Sequence, residues 1–524
     1  MKKMVVYDST LRDGTQAQGI SFTVQDKLKI VERLDGIGVA YIEAGNPGSN
    51  PKEIEFFEHV KDMKLKSAKI IAFGSTRRVS TKVEEDANVQ SLLNASTPAI
   101  AIFGKSWDFH VTDVLKTTLE ENLLMIFDTV KFFKNKGKEV IYDAELFFEG
   151  YLDNPDYAMK TLKAAADAGA DSICLCETTG GFMPYEIYDA TKIVVDEFDI
   201  PIGIHCHNDS GMAVANSVMA VKAGATQVQG TINGYGERCG NANLCTLIPD
   251  LQLKMGYDCI PQEKIQDLTA LSRYVNEIAN RPNDERAPFV GRFAFAHKAG
   301  MHSDAVSKNP KAYEHIDPEY VGNERVFLMS EVSGRSAVIN AINLVDKNIT
   351  KSSPETRQVL EKLKELEFEG YQYEGAESSF DLVIRKVLGR YKHFFELREF
   401  KVITNEPSIE NISSSAMIKI KVDSQDEITA ADGDGPVNAL DKALRKALER
   451  FYPEIAEMKL TDYKVRVLDS DSATAAKVRV LIESTDGEEV WTTIGVSADI
   501  IDASWKALVD SIEYKLNRER EGKK

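Results

Sequence analysis

Over its first 280 residues the chain alternates short β-branched runs with longer amphipathic stretches, and this alternation limits the possible fold more than any other feature. Eight runs qualify as strands, at residues 4–10, 39–45, 69–75, 99–105, 139–147, 171–178, 201–209 and 226–234. The segments between them carry helix signals. In "NPDYAMKTLKAAADAGA", Asn154 can cap the start, Pro155 suits the first turn and Gly169 can stop the helix. Eight βα repeats within about 240 residues predict an α/β fold, a closed (β/α)8 TIM barrel in preference to an open sheet.

Such a barrel carries its chemistry at the C-terminal ends of the strands and in the loops that follow them. The polar residues comply: Asp13 follows the first strand, Glu145 lies near the end of the fifth, and Thr178 ends the sixth. His205 and His207 end the seventh strand, and Asn241 follows the eighth. Strand residues two apart share a face, so the two histidines in "GIHCHNDSG" can share one ion while Cys206 points the other way. Two histidines alone equally fit a hydrogen-bonded pair in the barrel mouth. Asp13 and Asn241 would add an anionic and a neutral oxygen at the same end, and such mixed donors suit Mg, Mn, Co or Zn without choosing among them.

Beyond the barrel the pattern turns largely helical from about 262 to 392, interrupted by "AFAHKAGMHSDAVSKNPKAYEHI". After about 393 it becomes β-rich with an internal repeat: Ala439, Lys442, Ala443 and Leu444 recur as Ala503, Lys506, Ala507 and Leu508. Three domains are expected, at 1–280, 281–392 and 393–524, the last a duplicated β-plus-α unit with room for a ligand or partner between its copies. Gly433 and Gly435 precede a helix, but no Lys and Ser/Thr follow them as a phosphate loop requires.

The excess of 82 acidic over 64 basic side chains, formal charge -18, disfavours nucleic acid and anionic membrane surfaces as partners. The N-terminus lacks the apolar core of a secretion signal, and no window approaches the roughly 18 to 20 apolar residues of a membrane span. The six cysteines fall in apolar or motif-rich segments, as expected of a reduced, cytoplasmic protein. Cys174 and Cys176 share a strand face, and with no further ligands evident they are expected to be packing residues.

"DSTLRDGTQ", "HCHND" and "GTINGYGERCGNANL" resemble the signature blocks of the 2-isopropylmalate, homocitrate and citramalate synthase family, and the likeness runs through "HKAGMH" and the duplicated C-terminal region. Within the family, the tract holding "GYQYEGAESSFDLVIRK" is most similar to the long citramalate synthases. The resemblance implies condensation of pyruvate with acetyl-CoA, a divalent metal on Asp13, His205, His207 and Asn241, and Arg12 and Thr178 holding the keto acid. It further implies His302 as general base, Glu145 and Asp304 as orienting or proton-handling groups, Tyr313 near the acyl group, and His297 in support. A homodimer and a C-terminal regulatory domain answering to isoleucine are also implied. The chemistry agrees: a metal can polarise the keto group, and Arg12 could stabilise the alkoxide, the plain alternative being a salt bridge to Asp13.

One position departs from the family's pattern. Two residues before Glu145, where some citramalate synthases carry Tyr, this chain has Asp143, with Tyr142 just before it. Ile71, Phe73 and Phe103 are candidates to narrow the pocket around a methyl group. Lys160 in "YAMKTLK" is reminiscent of a biotin attachment site, yet it falls in a capped helical pattern instead of a hairpin turn. A hydroxymethylglutaryl-CoA lyase would carry a cysteine in a glycine-rich loop after the barrel, which is not evident. A non-enzymatic sensor fits poorly with the full set of Arg12, Asp13, His205, His207, Asn241 and His302. The nearest rival activity is 2-isopropylmalate synthesis.

Overall fold

The computed structural model describes residues 2–297, 300–327, 335–350, 352–373, 376–409, 412–468, 476–487 and 489–522. The chain divides into two compact units, one of Met1–Phe295 with Ile316–Glu324, the other of Ala296–His315 with Arg325–Lys524.

The first unit is built on a closed barrel of eight parallel strands. They are β1 (Val5–Asp8), β2 (Tyr41–Gly45), β3 (Lys69–Ser75), β4 (Ala99–Lys105), β5 (Glu139–Glu145), β6 (Ser172–Glu177), β7 (Ile202–Cys206) and β8 (Gln227–Gly230). Closure comes from β1, which pairs in parallel with both β2 and β8. β2, β3 and β4 end where expected, whereas β1, β5, β6, β7 and β8 stop one to four residues short, because there the chain leaves the sheet to form the site loops. Between strands run helices such as α1 (Val24–Ile37), whose Thr23 and Asp26 form a reciprocal capping box. In Pro155–Ala168, Asn154 accepts from the Tyr157 amide at 3.2 Å and Gly169 ends the helix at φ +95°. Lys160 lies exposed within this helix, which disposes of the biotin reading.

Strand alternation sorts the side chains. Outward residues such as Val6, Ile42, Ile100, Tyr142, Ile173 and Ile204 pack under the helices in one large apolar core. Inward residues Tyr7, Ile71, Ala99, Ala101 and Ile141 form a separate apolar cluster inside the barrel. One step further along the strands the interior turns polar, with Glu43, Asp143 and Gln229 all buried. Filling that level with ionisable groups desolvates them, and this is what gives the site above it unusual electrostatics.

In the second unit, β9 (Glu396–Ile409), β10 (Ile412–Val422) and β11 (Gln425–Gly433) form an antiparallel sheet followed by a helix at Pro436–Leu448. The pattern repeats with β12 (Lys459–Val467), β13 (Val478–Thr485), β14 (Val490–Ser497) and a helix at Ile500–Gly522. The duplication extends to single bonds. Thr429 Oγ1 donates to Ala443 O at 2.8 Å, and Thr493 Oγ1 donates to Ala507 O at 2.8 Å. Ala439, Ala443 and Leu444, like Ala503, Ala507 and Leu508, are buried where helix meets sheet. Among the described residues no helix is long and apolar enough to cross a membrane.

Candidate active site

After β1 the chain turns tightly, with the Gly14 amide donating to Ser9 O at 3.0 Å and the Asp13 amide to Ser9 Oγ at 3.3 Å. This turn sets Arg12 and Asp13 at the C-terminal mouth of the barrel. His205 ends β7, and His207 lies just past it, tied by its amide to Glu177 O at 3.0 Å and bridged to Asn241. The loop bearing Asn241 folds back through Gly240 at φ +88°, where a Cβ would stand 2.0 Å from Gly234 O. Only glycine permits that close approach.

The histidine Nε2 atoms face each other at 3.4 Å, with Asp13 Oδ2 3.5 Å from one and 3.9 Å from the other. Asn241 lies against both Asp13 and His205. Its Nδ2 donates to Tyr235 O at 3.0 Å, which leaves Oδ1 as its uncommitted atom. Among the described residues, Asp13 Oδ1, Asn241 Oδ1 and His207 Nδ1 are buried without hydrogen-bond partners. An orphaned buried polar atom costs about 1–3 kcal/mol, and the bare Asp13 and Asn241 oxygens, beside histidine Nε2 atoms that face each other at 3.4 Å, are what a cation would satisfy. The protonation states suit one. Burial, then the neighbouring His205, push the His207 imidazole down to about 4, and burial lowers His205. Against its burial, Arg12 and the histidines hold the Asp13 carboxyl down to about 2. Neutral imidazoles and an ionised carboxylate are the ligating forms.

A cavity of about 220 Å³ opens beside this cluster, bounded among others by Arg12, Glu145, Thr178, Asp143, Phe73 and Phe103. Its size suits a small acid better than a drug-sized ligand. The Arg12 guanidinium stacks 3.8 Å above the Phe73 ring, donates through Nη1 to Asp13 Oδ2 at 3.1 Å, and through Nε to Glu43 Oε2 at 2.6 Å. Glu43 is fully buried and also accepts from Tyr7 OH at 2.7 Å and from the Ser9 hydroxyl. Glu145 pairs with Lys105 Nζ at 2.6 Å, and Thr178 Oγ1 accepts from the Leu146 amide at 3.0 Å.

The phase of β5 settles the position that departs from the family pattern: Asp143 faces the cavity, and Tyr142 is buried on the helix side. Burial, with Glu43 adding to it, pushes the Asp143 carboxyl up to about 8. Phe73 and Phe103 stack at 5.1 Å on the cavity wall, as expected, but Ile71 does not line it. It belongs to the apolar cluster one level below, because its strand has not yet reached the mouth. Cys174 and Cys176 are buried beside Asp143. Burial pushes the Cys174 thiol well up and keeps it in the protonated form that binds metal poorly.

His302, Asp304 and Tyr313 belong to the second compact unit. There His302 stacks on Tyr313 with ring centroids 4.0 Å apart, and Asp304 pairs with Lys308 one turn on. His297 meets Glu314 at 2.9 Å, and Glu314 is held by Arg325 at 2.6 Å. Two functional candidates escaped the sequence reading, Glu43 and Gln229. A charged or amide side chain on the inward face of an otherwise apolar strand was the available signal.

The HMGL-like family model matches residues 3–275, a homocitrate synthase post-HMGL domain-like model 289–370, and the LeuA allosteric (dimerisation) domain 374–516. The chain is 53% identical over 522 residues to an (R)-citramalate synthase of Aquifex aeolicus, covering 99% of each chain. It is 52% identical to an (R)-citramalate synthase of Geobacter sulfurreducens, again with 99% of each covered. A probable 2-isopropylmalate synthase of Methanopyrus kandleri is 32% identical, with 98% of this chain and 99% of that one covered.

Proposed function

The chain belongs to the HMGL-like family, in its citramalate synthase branch, and from that premise we propose how its residues condense pyruvate with acetyl-CoA to give citramalate and free CoA. The observation that carries the proposal is the convergence of Asp13, His205 and His207, with ligand atoms within 4.8 Å of one another, on a small cavity that also holds Arg12.

Arg12 and Thr178 hold the keto acid. The guanidinium, already fixed by Glu43 and Asp13, stabilises negative charge as the keto oxygen becomes an alkoxide, and its preorganisation spares reorganisation at that moment. A divalent ion of the Mg, Mn, Co or Zn group, held by Asp13, His205, His207 and Asn241, supplies Lewis acidity to the keto group when bound. His302 takes a methyl proton from acetyl-CoA, with Tyr313 stacked on its ring and serving the acyl group. The carbon so activated attacks the keto carbon of pyruvate, and water then hydrolyses the thioester. Glu145 and Asp304 handle or orient the protons.

The catalytic barrel is assigned to 1–280, the connecting subdomains that carry His302 and Tyr313 to 281–392, and dimerisation with feedback to 393–524, where the LeuA allosteric match supports an effector. Isoleucine, the product of the route that citramalate feeds, is the proposed effector of a homodimer. The test is acetyl-CoA-dependent CoA release with Mn or Mg, comparing pyruvate, 2-oxoisovalerate and 2-oxoglutarate, with EDTA and His302→Ala as controls and isoleucine added last. Pyruvate as the preferred acid, with inhibition by isoleucine, is the expected result. Preference for 2-oxoisovalerate would replace the substrate, and silence with all three would end the reading.

A further inference from the structure

Gln229, on β8, lies wholly inside the barrel, 1% exposed, and spans two groups with opposite needs. Its Oε1 is 3.2 Å from His205 Nδ1, and its Nε2 donates to Asp143 Oδ1 at 3.1 Å. An amide carbonyl is only an acceptor, so this contact places the His205 proton on Nδ1 and leaves Nε2 as a lone pair. That is the nitrogen facing His207 and Asp13. The Asp143 contact holds the far end of the amide, so the orientation that offers its carbonyl to Nδ1 makes both bonds together. Asp143 itself lines the cavity beside Arg12.

We propose that Gln229 is a positioning residue that locks His205 in its ligating tautomer and ties it, through Asp143, to the wall of the keto-acid cavity. The proposal rests on the metal-site reading above. A ligating histidine usually donates its second nitrogen to a carboxylate, carbonyl or water, and such partners tune metal affinity. Here the partner is a neutral amide whose far end touches the wall of the substrate cavity, so a change at Asp143 should be felt at the metal although Asp143 touches no ligand of it.

The experiment is Mn2+ titration of metal-stripped full-length protein by calorimetry, alongside the visible spectrum of the Co2+-loaded protein. Gln229→Leu, which removes both bonds, is expected to weaken Mn2+ binding about ten- to a hundredfold and to shift the Co2+ bands. Gln229→Glu, which keeps an acceptor toward His205, should bind Mn2+ as tightly as wild type or tighter. Asp143→Ala should weaken binding by a smaller factor and add nothing further in the Gln229→Leu background. Equal affinity and unchanged Co2+ bands in folded Gln229→Leu would overturn the proposal. Should that variant not fold, Gln229→Glu binding more than tenfold weaker than wild type would do the same. Wild type that binds no Mn2+ would instead sink the metal site itself.

Discussion

Arg12 Nε donates to Glu43 Oε2 at 2.6 Å, so the guanidinium is aimed by a carboxylate buried in the barrel as well as by its sequence neighbour Asp13. The fork geometry matters, because two acceptors and the Phe73 face are served by one planar group. Arg12→Lys keeps the charge but cannot reproduce that arrangement. It is expected to lower kcat/KM for pyruvate about 10²-fold or more, the scale of losing one preorganised donor. Glu43→Gln should give a smaller loss in the same direction. Steady-state CoA release measures both, and a threefold effect for Arg12→Lys would leave Arg12 as a simple ion-pair partner.

Metal removal should register as stability. A ligand that binds only the folded state adds about 2.7 kcal/mol at a hundred times its Kd. Mn2+ at that excess is therefore expected to raise the unfolding midpoint of EDTA-treated protein, and Asp13→Ala should abolish the shift. The two histidines and Asn241 that remain are all neutral donors, with no carboxylate to balance the ion's charge. Equal shifts in both proteins would move the binding site elsewhere.

Much of the candidate site is legible in the sequence because its signals are local. The two-residue spacing of His205 and His207 fixes their common face on any strand, and the Asn154 and Gly169 signals bound a helix without reference to the rest of the fold. Glu43 and Gln229 were not legible for the opposite reason. Their roles depend on which strands the closed barrel sets side by side, joining Arg12 to a residue 31 positions away and His205 to one 24 away. The cavity wall shows the same limit. Whether Tyr142 or Asp143 faces inward depends on the phase of β5, and Ile71 was misplaced by one level because sequence does not tell where each strand stands along the barrel axis.

Asp8 gives a pH signature. Burial, opposed by two Thr10 hydrogen bonds, pushes its carboxyl up to about 7. An unfolded chain loses that proton near 3.8, so between there and pH 7 the unfolded state is deprotonated while the folded state is not. Its contribution to stability is therefore fullest below the unfolded value and is lost as pH rises through the folded one, a difference of about 4 kcal/mol. Asp8→Asn removes this dependence, since Asn can still accept from the Thr10 amide. Urea unfolding at pH 5 and pH 8 should show the variant gaining on wild type at the higher pH, and parallel curves would contradict the shift.

In the duplicated module the two helices approach their sheets through glycine. A Cβ on Gly433 would stand 2.5 Å from Ala439 N, and one on Gly495 2.0 Å from Ala503 O. Ala439 and Ala503 are equivalent in the repeat, yet the glycine lies on β11 in one copy and two residues earlier along β14 in the other. The close contact has thus been kept while the residue that permits it has moved. Backbone cannot yield as a flexible side chain does, so Gly495→Ala must lift the C-terminal helix from β14. Overpacking of this kind costs about 1–3 kcal/mol. Thr493→Val, which removes only the hydroxyl bonded to Ala507 O, should cost about 1 kcal/mol. Thermal unfolding followed by the fluorescence of Trp491 and Trp505, both buried in this module, separates the two variants. An unchanged midpoint for Gly495→Ala would mean that the helix is free to shift, and that close packing is not what holds the second copy together.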